Sequence, residues 1–203
     1  MTFNHLVLIG GGHTNVLLIK KWLMCPKLMP EIPVSIISRD SHLVYSAMFP
    51  SVISKSISLE ESLIDIKSLA KNAKLSFIEE EVKDIDFNLK KILLSNRPPV
   101  NYSKLVLNYG SQTRIPRQFE TLVKNQNAFP IKPFLRAYDL IQKEDIFDSV
   151  KELPFVIVGS GLAAIEVSYA LRKRWRGRPL KLFCDTKKIN NKIESKINDQ
   201  SLL

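Results

Sequence analysis

The sequence predicts an α/β chain built from two Rossmann-like units, and three observations carry that expectation. Glycine is scarce, 7 of 203 residues, about half the ~7% usual in proteins, so the place of each one is informative. Six of the seven fall at three places: Gly10, Gly11 and Gly12 after the run LVLI, Gly110 after LVLNY, and Gly159 and Gly161 after FVIV. Each run is short, apolar and rich in β-branched residues, which reads as a buried parallel strand; at the end of such a strand a missing Cβ lets the backbone approach a ligand. The first and third glycine groups also lead straight into stretches with helical character.

Taken in order, a strand at Leu6 to Ile9 passes through the glycines into a helix whose apolar positions are Val16, Leu17, Ile19, Leu23 and Met24, stopped by Pro26. The next strand is Val34 to Ser38, which completes a βαβ unit with parallel strands and a right-handed crossover. SRDSHLVYSAMFPSV reads as a loop. From Ser58 the pattern predicts a helix, because Ser58 and Glu61 have capping-box spacing and Leu63, Ile66, Leu69 and Ala70 fall on or near one face. Residues 75 to 95 suggest short strands broken at DIDFN, Pro98-Pro99 enforces a turn, and a strand runs from Leu105 to Asn108. Gln112 to Pro133 reads as a connection leaving the first sheet, and Phe134 to about Val150 as a helix. The second βαβ unit then follows: FVIV, the turn GSG, a helix over LAAIEVSYALRKRW, and the strand LKLFC ending at Asp185.

Composition narrows the function classes. At 45% hydrophobic and 25% charged the chain is globular. No apolar run reaches the ~18 residues that cross a bilayer, and the start shows no basic leader with a cleavage site, so a cytoplasmic protein is expected. Cys25 and Cys184 form neither a CxxC pair nor a metal spacing, so no metal site is expected and redox chemistry must come from a cofactor. Residues 171–203 hold ten Lys/Arg against three Asp/Glu, +7 of the net +10. An anion partner is one reading of that tail. The favoured one is a solvated helix end, where Arg172, Lys173 and Arg174 complement the dipole, and no nucleic-acid motif accompanies the charges, so no nucleic acid is expected.

In a GxGxxG turn the first glycine bends tightly, the second admits a pyrophosphate against the backbone, and the third lets helix and strand pack closely, with amides at the helix start facing the phosphates. VLIGGGHTNV supplies Gly10 and Gly12 but puts Asn15 third, a departure expected to loosen helix packing or to bend the helix slightly away. VIVGSGLAAIE supplies Gly159, Gly161 and the small Ala164. For either copy a tight strand-to-helix turn without ligand is the competing reading. An acid ending the second strand of such a unit binds the adenosine ribose: Asp40 comes two residues late in the first unit, and Asp185 follows directly in the second, where it would favour NADH over NADPH against the opposing charge of Lys187 and Lys188.

The series GGGH, SRDSH, YSKLVLNYGS and VIVGSGLAAIEVSYAL, spanning Leu6 to about Asp185, resembles the flavin-dependent pyridine nucleotide-disulfide oxidoreductases. The likeness is closest to type II NADH dehydrogenase-like proteins and the related flavoprotein domain found fused to selenide, water dikinase. It implies a Rossmann-like FAD-binding domain over 1–132 and an incomplete Rossmann-like NAD(P)-binding domain over 133–203. By the resemblance, Gly10, Gly11, Gly12 and His13 contact FAD, with Asp40 on its ribose. Gly110 and Ser111 belong to a second FAD motif that usually ends Ala-Thr-Gly and here reads Asn108-Tyr109-Gly110. Gly159, Gly161, Ala164 and Asp185 hold NADH or NADPH, and Glu166 lies near the nicotinamide and the flavin edge as the catalytic candidate. His13 has a second reading as a solvent-facing helix start, and His42 and Tyr45 have one as ordinary loop packing. Cys184 reads as a small buried hydrophobe rather than a reactive thiol.

The activity so implied is hydride transfer from NAD(P)H to flavin and on to a small-molecule acceptor such as a quinone, in a protein either cytoplasmic or peripheral to a membrane. Nicotinamide and flavin must meet at roughly 3 to 3.5 Å, which accounts for two nucleotide motifs in one chain. The family's chain continues past the equivalent of Asp185, so the second sheet is expected to expose an edge and apolar surface. A truncated or split noncatalytic fragment, completed by a partner chain or oligomer that supplies the missing half, is the other function carried forward. A plain nicotinamide dehydrogenase or methyltransferase would need only one nucleotide turn.

Overall fold

The computed structural model describes residues 4–146 and 153–184. Contacts divide the chain into two compact units, Met1–Tyr45 with Ser62–Glu120, and Ser46–Glu61 with Thr121–Leu203. These units differ from a single cut after residue 132 in two places: the second takes in Ser46–Glu61 and begins again at Thr121.

The first unit is organised by a parallel sheet in the order β5-β2-β1-β9, from β1 (Leu6–Ile9), β2 (Val34–Ser38), β5 (Ser76–Glu79) and β9 (Lys104–Leu107). Leu6 lies opposite both Val34 and Lys104, and Ile9 opposite Ile37 and Leu107. The crossover from β1 to β2 is α1 (His13–Met24). One face of the sheet packs Leu6, Leu8, Val34 and Ile36 against Val16, Ile19 and Trp22 of α1 and against Ile66 and Ala70 of α3 (Ile66–Asn72). The other face packs Val7, Ile9 and Ile37 against Ile92, Leu94 and Tyr102. Those residues belong to or adjoin an antiparallel sheet of β6 (Val82–Asp86), β7 (Lys91–Leu94) and β8 (Val100–Asn101). Cover on both faces is why β1 is an unbroken apolar run with all four residues buried.

Two readings of this unit need correction. The stretch after Arg39 is more ordered than a loop: β3 (His42–Val44) pairs antiparallel with β4 (Leu63–Asp65). The helix predicted from Ser58 begins only at Ile66. The capping box does form, with the Ser58 amide donating to Glu61 Oε2 at 2.7 Å and the Glu61 amide to Ser58 Oγ at 3.3 Å, but it closes a 3-10 turn at Glu60–Ser62. The true N-cap is Asp65, whose Oδ1 accepts from the Ser68 amide at 2.8 Å. Hydrogen bonds from the Ser68 side chain and amide hold the Asp65 carboxyl below its ordinary pKa.

The second unit carries the shorter sheet, β10 (Phe155–Val158) parallel to β11 (Leu180–Phe183), joined by α6 (Leu162–Arg174). Its other helices are α2 (Phe49–Ile53) and α5 (Phe134–Ile146). Phe49 and Phe134 pack ring to ring at 4.6 Å. The stretch read as a connection contains a helix, α4 (Arg117–Lys124), none of whose residues is buried.

An ion network ties the second unit together. Arg174, with a side chain only 1% exposed, donates from Nε to Asp145 Oδ1 at 2.8 Å and from Nη2 to Asp145 Oδ2 at 2.7 Å, while its Nη1 reaches the Ile53 carbonyl at 2.8 Å. Trp175 Nε1 and Lys55 Nζ complete the carboxylate's partners, each at 2.8 Å. Burial alone would raise the Asp145 pKa, but the donors Arg174, Lys55 and Trp175 outweigh it and hold the carboxyl well below the usual range. FVIV, which reads as a strand buried on both sides, is covered on one side only: Val156 is 46%, Val158 59% and Phe183 58% exposed. The expected exposed apolar surface is therefore present in this sheet.

Candidate functional site

At the first glycine turn, the Gly10 amide donates to the Ile37 carbonyl at 2.7 Å, closing the strand end, and Gly10 adopts φ 87°. A Cβ on Gly10 would sit closer than 3.0 Å to Tyr109 Cα and the Asn108 carbonyl, and one on Gly12 closer than that to Asn108 Oδ1 and O. The glycines are thus required by the chain's own backbone after β9. Gly11 faces the Ile66 side chain and Ser38 Oγ instead.

Asn15 takes the third position with its side-chain amide turned onto the end of β1. It is fully buried, and its Nδ2 donates to the Gly10 carbonyl at 2.8 Å and the Ile9 carbonyl at 3.2 Å. Its Oδ1 is the one buried side-chain polar atom left without a partner among the described residues. Asn108 answers from across the sheet: its carbonyl accepts from the Gly12 amide at 3.0 Å and its Oδ1 from the Asn15 amide at 3.3 Å. Gly12 is the N-cap of α1 and offers no side-chain oxygen. With these bonds made, the amides of Gly11, His13 and Thr14 have no partner among the described residues. Three amides at the start of a twelve-residue helix fit an anion such as a dinucleotide pyrophosphate.

The remaining first-unit candidates lie as follows. His13 is exposed at the first position of α1 and stacks on Tyr45, ring centroids 5.2 Å apart and planes 19° apart. His42 is exposed in β3, its Nδ1 3.1 Å from Ser41 Oγ. The Asp40 carboxylate is exposed and pairs with Arg39 at 3.1 Å, while Ser38 Oγ donates to the Asp40 carbonyl at 2.8 Å. Gly110, with φ 84°, and Ser111 are exposed just past Tyr109.

The second turn repeats the same backbone frame. The Gly159 amide donates to the Phe183 carbonyl at 2.9 Å, as Gly10 does to Ile37, and Gly161 caps α6 with ψ 166°, the value Gly12 shows on α1. Its surroundings differ. Among the described residues nothing lies within 4 Å of a Cβ on Gly161, and a Cβ on Gly159 would meet only Ala164 Cβ at 3.3 Å. The Ala164 amide turns back to the Gly161 carbonyl at 3.0 Å rather than to a side chain. Cys184 is half-buried and its thiol lies 3.4 Å from the Gly159 carbonyl. Glu166 is exposed on α6 and, with Tyr169 and Lys173, lines an open groove of about 320 Å³ whose other wall is Pro50, Ser51 and Ser54. Asp185 lies outside the described residues. Asn108 is the residue that sequence reading missed: its partner Asn15 stands 93 positions away, and no local pattern announces the pair.

Two strand-turn-helix units with glycine N-caps define a nucleotide-binding α/β protein. The Pyridine nucleotide-disulphide oxidoreductase family model matches residues 4–193, and the chain belongs to that family. Members of the family bind FAD and a pyridine nucleotide. The NADH dehydrogenase-like protein YutJ of Bacillus subtilis (strain 168) is 22% identical over 174 residues, 83% of this chain and 45% of its own length. The sulfide:quinone oxidoreductase of Aquifex aeolicus superposes with TM-score 0.72 at 18% identity over 97% of this chain and 49% of its own. NDH2 from Plasmodium falciparum gives TM-score 0.72 at 16% identity over 97% and 46%. The chain thus spans about half the length of these relatives, and the structural likenesses speak to the fold. Among the described residues no helix is long and apolar enough to cross a membrane, and no group of His, Cys, Asp and Glu could hold a metal.

Proposed function

We propose that the chain contributes the FAD-binding part and the leading part of the nicotinamide-binding part of an NAD(P)H oxidoreductase, divided functionally near residue 132. The observation that carries this reading is the set of unengaged amides at Gly11, His13 and Thr14, held open by a turn whose other amides are satisfied internally. In it, Gly10 and Gly12 form the turn, His13 adds a donor beside the phosphates, Asp40 reaches the ribose, and Gly110 and Ser111 flank the flavin. Gly159, Gly161, Ala164 and Asp185 receive NADH or NADPH, and Glu166 orients the nicotinamide end. When bound, the flavin accepts the hydride and passes electrons on. The chain's own residues bind and align; the acceptor is a quinone or another small molecule, a quinone being what the sulfide:quinone oxidoreductase among the similar folds suggests.

Titration with FAD, followed by flavin absorbance under anaerobic NADH, tests the assignment. The expected result is a bound flavin that NADH bleaches in the parent, and a Gly161→Val chain that keeps the flavin but is not bleached. A parent that retains no flavin under any reconstitution sinks the reading.

A second form of the reading is favoured by the exposed Val156, Val158 and Phe183 on one sheet face. In it, turnover needs further polypeptide against β10 and β11, in the same chain or a partner. Flavin binding without NADH oxidation, restored by adding that polypeptide, would support it; full turnover by the 203 residues alone would refute it.

A further inference from the structure

We infer that Asn108 is the side-chain N-cap of α1, delivered from the end of β9, and that it positions the first glycine turn for its dinucleotide. The inference rests on the reading above for the dinucleotide, but the capping itself rests on geometry alone. An N-cap residue ordinarily satisfies the amide two or three residues into its own helix with a side-chain oxygen. Gly12 holds the cap position of α1 and has no side chain, yet the third helical amide, that of Asn15, is bonded at 3.3 Å to Asn108 Oδ1.

Asn108 engages the turn at three successive landmarks. Its amide donates to the Ile9 carbonyl at 2.8 Å at the end of β1, its carbonyl accepts from the Gly12 amide at 3.0 Å at the cap, and its Oδ1 reaches the third position of the helix. Asn15 closes the circuit by donating back to the Gly10 and Ile9 carbonyls. Two asparagines, at positions where glycine and alanine are the usual residues of the resembled motifs, therefore act as a pair. Asn108 meets the main chain of residue 15, while the Asn15 side chain bonds back to the end of β1 and the first glycine. What remains unbonded at the helix start is the set of amides of Gly11, His13 and Thr14, fixed in direction by the bonds on either side. A ligand meeting amides already aligned loses less in ordering them.

Asn108→Ala and Asn108→Asp test this. In the alanine chain the Asn15 amide is expected to exchange with solvent about tenfold faster, and FAD to bind about tenfold more weakly, in line with loss of a cap. In the aspartate chain Asn15 is expected to stay protected, and its amide resonance to shift as the new carboxylate titrates, since the same atom position accepts the bond. Unchanged Asn15 exchange in the alanine chain overturns the inference, as does unchanged FAD affinity once that protection is lost. Should the alanine chain fail to fold, the aspartate titration decides alone, and an Asn15 resonance indifferent to it overturns the inference. If the parent binds no FAD, the proposed function fails while the exchange and titration results still decide whether Asn108 caps the helix.

Discussion

The two glycine turns share a frame and differ in what encloses it. Both end a parallel strand, both cap a helix with a glycine at ψ 166°, and both return the first glycine's amide to the neighbouring strand. Around Gly10 and Gly12 the chain's own backbone leaves no room for a Cβ, whereas among the described residues nothing lies within 4 Å of one on Gly161. The helices are also anchored from opposite ends: α1 at its start through Asn15 and Asn108, α6 at its finish through Arg174 and Trp175 on Asp145. The same motif can thus be a rigid seat or an open one, depending on a third strand that neither helix encodes.

The largest expected effect contrasts the turns directly. Gly12→Val should destabilise the first unit by about 3 kcal/mol or more, because the blocking atoms include backbone that cannot step aside. Gly161→Val should cost less than about 1 kcal/mol. Urea midpoints of the two variants check this, and equal losses would erase the distinction. Flavin loss in Gly12→Val then reports a collapsed turn rather than a blocked ligand.

Next comes the anchor of α6. Asp145→Asn leaves the Arg174 guanidinium, 1% exposed, without its ionic partner, and should destabilise the second unit by about 2 to 4 kcal/mol. Amide exchange along α5 and α6 would measure it. Because the native Asp145 carboxyl titrates below its unfolded value, its contribution is fully present above about pH 4 and is lost as the pH falls through the lower native value. Unfolding of this unit should therefore become easier below about pH 4 in the parent and show less of that dependence in Asp145→Asn. A parallel acid limb in both chains would remove Asp145 from the account.

A smaller effect is expected at Asn15. Alanine there gives up the bond to the Gly10 carbonyl but also removes the unpartnered Oδ1, so the net loss should be about 1 kcal/mol. Thermal unfolding would register it, and a stabilised variant would mean that the buried oxygen costs more than the bond contributes.

Much of this was legible in the sequence, and the reason is local. The runs before Gly10 and Gly159 are strands because β-branched apolar residues fit a sheet, and the following helices stop at Met24 and Arg174. The helix predicted from Ser58 failed for an equally local reason: Ser58 and Glu61 do bond as a capping box, but strand pairing of Leu63–Asp65 with His42–Val44 took the next residues before a helix could use them. FVIV reads like LVLI, yet only the latter is covered on both faces, and an apolar run does not record how many layers lie over it.

Strand, turn and helix identity, the two nucleotide-type turns and the family they belong to follow from residues adjacent in the chain, since periodicity and missing side chains act over a few positions. Which glycines are compelled by packing, where the third amide of α1 finds its acceptor, and how Asp145 holds α6 depend on residues 93 and 29 positions apart. Hydrogen-bond geometry between such residues exists only once the sheets and helices have assembled, so tertiary structure alone decided it.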